Sequence, residues 1–186
     1  MDEDITEVKS LANLLQLEEL YLQSNALTSF DDFPLLINLR IISVANNKKL
    51  TSTKGIEKFT ALEELQANKS GLTNLLGVDK LTNLKIVGLM MNKLTDVSEF
   101  THLKLLEDVV LSYNPISDIS AFKNKKDLTR FTAHDTKITD ISPLLGSKQL
   151  KIVGVSSSNF SCSQLNPFRE SLPKTSKIYG PSRCNN

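Results

Sequence analysis

Leu84-Lys-Ile-Val87-Gly-Leu89-Met-Met-Asn92-Lys-Leu94 decides the fold, because its pattern, L-x-x-L-x-L-x-x-N-x-L, recurs along the chain. Leu17-Glu-Glu-Leu20-Tyr-Leu22-Gln-Ser-Asn25-Ala-Leu27 is a second copy, and Leu106-Glu-Asp-Val109-Val-Leu111-Ser-Tyr-Asn114-Pro-Ile116 is a third. The opening leucines fall at Leu17, Leu39, Leu62, Leu84, Leu106, Leu128 and Leu150, a spacing of 22 with one interval of 23. The extra residue lies in Asn47-Lys-Lys-Leu50, at a turn where a solenoid absorbs an insertion.

Between these copies the sequence is also regular. Ile138-Thr-Asp-Ile141-Ser-Pro-Leu144 repeats Ile116-Ser-Asp-Ile119-Ser-Ala-Phe122 and Leu94-Thr-Asp-Val97-Ser-Glu-Phe100. Ile5-Thr-Glu-Val8-Lys-Ser-Leu11 is the same segment with no strand before it, so the sequence opens in mid-repeat. Strict alternation in L-x-L predicts a short strand whose leucines face inward. Apolar residues three apart predict a tight 3₁₀ turn on the opposite side. One repeat cannot bury its own apolar side; stacking gives a continuous core beneath a parallel sheet. Seven strands at ~4.8 Å make a sheet roughly 30 Å wide.

The chain turns sharply after each strand, which takes backbone N–H and C=O groups off the ladder. Asn25, Asn47, Asn92 and Asn114 sit at that turn, and a buried amide has the donors and acceptor to satisfy them. Ser70, Thr136 and Ser158 hold the position in other repeats and do part of the same work.

On these motifs residues 5–160 resemble the leucine-rich-repeat superfamily, in the short 22-residue class of bacterial internalins and protein-phosphatase regulatory subunits. The Ile-Thr-Asp-Ile-Ser-Pro-Leu segment is most similar to internalin repeats. The resemblance implies a right-handed α/β solenoid with a concave parallel sheet, a 3₁₀ or irregular convex side and a C-terminal cap. It also implies protein binding on the concave face. A recognisable internalin N-terminal cap is missing, so adhesion and host-cell entry do not carry over. Residues 1–160 are read as the solenoid, with seven strands, and residues 161–186 as a cap on the last repeat.

In the cap, Asn166 is the expected N-cap and Pro167 the first helical residue. Leu165, Phe168 and Leu172 form its apolar face, and Pro173 ends it. Both cysteines of the chain, Cys162 and Cys184, lie here. Their placement at either end of an irregular segment suggests a disulfide, and with it an oxidising compartment; two unrelated thiols are the alternative.

The chain has 186 residues, 40% hydrophobic and 23% charged, enough for a sizeable core and outside the disordered range. No apolar run approaches the ~18–20 residues of a membrane span. Met1-Asp2-Glu3-Asp4 is acidic where a signal peptide would be basic. Either the protein is cytoplasmic, or a signal was removed; with the cysteines, export is the favoured side. Net charge is +1, which argues against a general nucleic-acid binder. The distribution is uneven: residues 1–66 carry −5, residues 67–120 carry −1, and residues 121–186 carry +7.

Signatures of catalysis are missing. No phosphate loop, dinucleotide fingerprint or metal-ligand spacing occurs, and no cofactor is expected. His102 falls in an outer segment. His134-Asp135 follows a strand, but no motif places a nucleophile beside it. Glu18-Glu19 and Glu63-Glu64 are paired carboxylates on the repeat surface. Asn68-Lys-Ser70 and Asn159-Phe-Ser161 match the N-glycosylation pattern, which arises easily by chance.

Outward strand positions are more informative, because a solvent-facing sheet should be mainly polar. Here Tyr21, Ile41, Ile86, Met90 and Val110 are apolar, with Met91 and Tyr113 near the loops and Glu64, Asp108 and Arg130 flanking them. Exposed apolar patches mark interfaces, although such residues also suit strands. The expected contact set is Tyr21, Ile41, Glu64, Ile86, Met90, Asp108, Val110, Tyr113, Arg130 and His134. The expected function is a non-catalytic, monomeric protein-binding module. A regulatory scaffold for an enzyme such as a phosphatase is the alternative, and an enzyme built on His134 is a third reading.

Overall fold

A computed structural model describes residues 5–184 of the chain. Strands β1 (Glu19–Tyr21), β2 (Ile41–Ser43), β3 (Glu64–Gln66), β4 (Ile86–Gly88), β5 (Asp108–Val110), β6 (Arg130–Thr132) and β7 (Ile152–Gly154) come one per repeat. An eighth, β8 (Lys177–Tyr179), comes from the C-terminal segment, where the repeat pattern gave no sign of it. All eight form one parallel sheet in sequence order. The middle residue of each repeat strand, from Leu20 through Val87 to Val153, points into the core, and the residues on either side point out.

Across the core from the sheet, 3₁₀ turns run over Ile56–Lys58, Val78–Lys80, Ser98–Phe100, Ser120–Phe122 and Ser142–Gly146. Their apolar residues meet the strands from the other side. Phe100, Phe122 and Phe131 pack in tilted and edge-to-face contacts with centroids 5.7 and 5.0 Å apart, and Phe30, Phe33 and Phe59 form a second group. The acid of the Thr/Ser-Asp segment starts three of these turns. Oδ1 of Asp96, Asp118 and Asp140 accepts the N–H of Ser98, Ser120 and Ser142 at 2.7–2.8 Å, and Oδ2 accepts the same serine's hydroxyl.

The turn asparagines bind adjacent repeats to each other. Nδ2 of Asn114 donates to Leu111 O in its own repeat and to Leu89 O in the previous one, both at 2.9 Å. Its Oδ1 accepts the Leu94 N–H at 3.0 Å. Asn47 and Asn92 make the same three bonds. Asn25 bonds to Leu22 O, Gln23 O and the Ile5 N–H. The hydroxyl positions do less: Ser70 Oγ donates to Val44 O, and Thr136 Oγ1 to Ala133 O. The residue before each of these positions is left-handed, with φ between 51° and 62° at Ser24, Asn46, Lys69, Met91, Tyr113, Asp135 and Ser157. None is glycine, so each costs about 1 kcal/mol of backbone strain, offset by the bonds that follow.

One buried cation has no counterpart in the repeat pattern. Lys125 stands where Leu81 and Leu103 stand in the two preceding repeats and is 3% exposed. Its Nζ donates to Phe100 O, Thr101 O and Leu103 O at 2.6–2.9 Å. Three carbonyls thus take all three ammonium protons of a cation that has lost its water.

The C-terminal helix starts earlier than expected. Ser161, not Asn166, is the capping residue, its Oγ accepting the Ser163 N–H at the head of a 3₁₀ turn over Cys162–Gln164. That turn runs directly into α1 (Leu165–Ser171) and supplies its first turn, which leaves Asn166 and Pro167 inside the helix. Leu165, Phe168 and Leu172 are buried against the last repeat. Cys162 and Cys184 are disulfide-bonded, with Cα atoms 5.2 Å apart.

Candidate functional site

The concave face consists of parallel rows fixed by the strand register. One row reads Glu19, Ile41, Glu64, Ile86, Asp108, Arg130, Ile152 and Lys177. The next reads Tyr21, Ser43, Gln66, Gly88, Val110, Thr132, Gly154 and Tyr179. Charged residues separate the apolar ones in the first row, so the apolar side chains do not form one unbroken strip. They gather on β4 and β5: Ile86 and Met90 flank Gly88 along the strand, and Val110 lies beside Gly88. All three are half-buried by their neighbours, while Met91 and Tyr113, 48% and 52% exposed, stand at the strand-exit rim. Tyr21 and Ile41 lie two or more strands away, on β1 and β2.

The polar members of the expected set are engaged with each other. Arg130 and Asp108 form a fork, Nε to Oδ1 and Nη2 to Oδ2, both at 2.7 Å. Glu64 accepts from Gln66, whose own oxygen accepts from Asn68. The Tyr21 hydroxyl donates to Glu19 at 2.8 Å, which raises the phenol above its ordinary pKa. His134 Nδ1 meets Ser156 Oγ, and the His134 N–H donates to Ser112 Oγ. The charged members of the expected set are therefore largely engaged within the sheet.

Two glycines on this face act as seats. A Cβ at Gly88 would collide with the amides of Gln66 and Asn68, and one at Gly154 with the imidazole of His134. Side chains from one strand lie flat across the next at these points. The repeat alignment places both glycines in an outward row, but it could not show which neighbours lean over them.

The paired carboxylates have separate roles. Glu63 lies between Arg40 and Lys85, 2.8 Å from each, and Arg40 also reaches Glu18 at 3.5 Å. The Arg40 bond, then the Lys85 bond, pulls the Glu63 carboxyl down to about 2. This ladder crosses four repeats along the strand-entry rim. The Asn68 side chain accepts the Met90 N–H, so that glycosylation match is occupied by a structural bond. Asn159 and His102 are exposed. Among the described residues no cluster of three His, Cys, Asp or Glu could hold a metal, and no helix is long and apolar enough to cross a membrane.

No protein-family description matches the sequence, and no curated protein matches it. Solved structures do. The chain is similar to an internalin C2 of Listeria monocytogenes str. 4b F2365, with TM-score 0.86 and 22% identity over 98% of this chain and 77% of that one. A second internalin of that organism, inlF, gives TM-score 0.68 and 20% identity over 98% and 72%. A leucine-rich-repeat protein of Leptospira interrogans gives 0.67 and 22% over 93% and 51%. With the parallel ladder, the 3₁₀ turns and the asparagine-bound repeats already described, this chain is a leucine-rich-repeat solenoid.

Proposed function

We propose that the chain is a non-catalytic module that holds a protein partner on the concave face of its sheet. Leucine-rich-repeat proteins are generally protein-binding modules. The observation that carries the reading is the apolar group of Ile86, Met90 and Val110 on the solvent side of β4 and β5, with Met91 and Tyr113 beside it. The inward residues Val87, Leu89, Val109 and Leu111 already hold these strands, so the fold does not need apolar side chains outside. An adaptable thioether and a phenol with a polar end suit a protein surface. Tyr21, Ile41, Glu64, Asp108, Arg130 and His134 form the periphery of the proposed contact.

The test is capture of a partner with the folded chain, followed by titration of that partner against Met90→Glu/Tyr113→Ala. Central interface residues are worth about 2 kcal/mol or more each, so binding should fall well over ~30-fold with circular dichroism unchanged. Lys80→Glu, in a 3₁₀ turn on the opposite side, should bind as the parent does. Full binding by the double variant, with loss in the Lys80 variant, refutes the concave-face reading.

A further inference from the structure

Successive repeats bring equivalent positions side by side, and one such column changes character along the molecule. The first residue of the two-residue turn before each repeat strand is Leu15, Ile37, Thr60, Thr82, Lys104, Lys126 and Lys148. The last three are lysines, all exposed. Neighbouring repeats are about 4.8 Å apart at the sheet, so three ammonium groups follow one rim at roughly that interval. Lys123 adds a fourth in a groove of about 380 Å³ with Lys104, Lys126, Leu105 and Thr101, where Asp127 is the single acid.

Some cations elsewhere face carboxylates, although other exposed lysines, Lys49, Lys93 and Lys137 among them, stand in no ion pair within 4.0 Å among the described residues. Lys9 meets Asp32, Lys54 meets Asp31, Lys80 meets Asp79 and Lys85 meets Glu63. Among the described residues, no ion pair within 4.0 Å involves Lys104, Lys123, Lys126 or Lys148. Lys125 lies beneath the same groove with its protons taken by carbonyls, so it adds charge without offering a contact. The result is a row of like charges with Asp127 the single acid in its groove, and all of the row but Lys104 lies in the third of the chain that carries +7.

We propose that this lysine track binds a linear sulfated polysaccharide, lying across the repeats along the strand-entry rim. Anionic groups repeating along an extended chain match cations repeating along a solenoid, whereas the carboxylates of a folded protein are irregularly placed. Lysine acts as a point charge and does not demand the planar two-pronged partner that arginine does. Single-stranded nucleic acid would need aromatic platforms for its bases, and the groove lining contains none. The site is separate from the concave face, so both ligands can bind together.

A fluorescent heparin-derived octasaccharide, followed by anisotropy at about 0.1 M salt, is the probe. The parent chain should bind it, with affinity falling as salt rises. Lys104→Glu/Lys126→Glu/Lys148→Glu should weaken binding at least about tenfold. Lys49→Glu/Lys93→Glu/Lys137→Glu makes the same charge change at exposed positions outside the track and should stay within about threefold. Circular dichroism should be unchanged in both, since none of the six residues is buried. Equal loss in the two triple variants, no binding by the parent, or a single-stranded oligonucleotide binding as tightly through the same lysines would each overturn the proposal.

Discussion

Replacing Asn114 by leucine tests how the repeats are joined. The substitution nearly keeps volume but removes an amide that is 1% exposed. Four backbone groups lose a partner, but not equally, and Ser112 O, reached only at 3.5 Å, keeps the Met91 N–H. Leu89 O keeps the Asn92 amide at 2.9 Å, so the two groups left bare are Leu111 O and the Leu94 N–H. A buried unsatisfied group costs about 1–3 kcal/mol, which gives ~2–6 kcal/mol for the pair. Asn114→Ser refines the argument, because Thr136 shows that a hydroxyl at this position can still reach the carbonyl three residues back. It should leave only the Leu94 N–H bare and cost about 1–3 kcal/mol. Urea unfolding followed by circular dichroism gives the totals. Amide exchange at Leu94 locates the damage, with both variants losing protection there. A leucine variant within about 1 kcal/mol of the parent, or serine and leucine variants of equal stability, would refute the reasoning.

Two further outcomes are expected. Burial, and then the charge of Lys104, push the Lys125 ammonium down to about 8. The unfolded chain therefore binds the extra proton between about pH 8 and 10.4, and stability should rise with pH across that window by up to about 1.4 kcal/mol per unit. Lys125→Met should flatten this rise in pH-dependent urea melts, and a parent curve already flat there would refute the assignment. For the disulfide, protein isolated without reductant should weigh about 2 Da less than after reduction. Cys162→Ser/Cys184→Ser should then lower stability by about 3 kcal/mol on the chain-entropy estimate, and two freely alkylated thiols in the unreduced parent would count against the bond.

The repeat was legible because one leucine spacing sets both the strand alternation and the position of the core. The seven repeat strands follow from L-x-L alone. The eighth did not, because Lys177-Ile-Tyr179 has one apolar residue between two exposed ones and no repeat around it. The helix start was misplaced for a local reason: Ser161 and the Cys162–Gln164 turn present a weaker pattern than Asn-Pro, yet precede it and take the cap. Lys125 in a leucine position resembles a solvated charge run when read as Lys123-Asn-Lys-Lys126. Only the carbonyls of the preceding repeat show where its ammonium goes. On the concave face the outward rows could be listed from the sequence. Which polar groups neutralise one another could not, because the Asp108–Arg130 fork depends on side-chain direction across two strands.

Strands of three residues, stacked so that the chain advances along the hydrogen-bond direction, also set how the molecule would respond to force. Tension applied between its two ends acts along the ladder bonds and not across them. Rungs then separate one at a time, at low load, instead of yielding together in shear. Each repeat released would add about 70–75 Å of extended chain. The Cys162–Cys184 bond withholds the 22-residue interval between its cysteines from that extension. A tether pulled at both ends would therefore lengthen in even steps through its repeats and stop short at the C-terminal segment, which stays looped while the rest is drawn out.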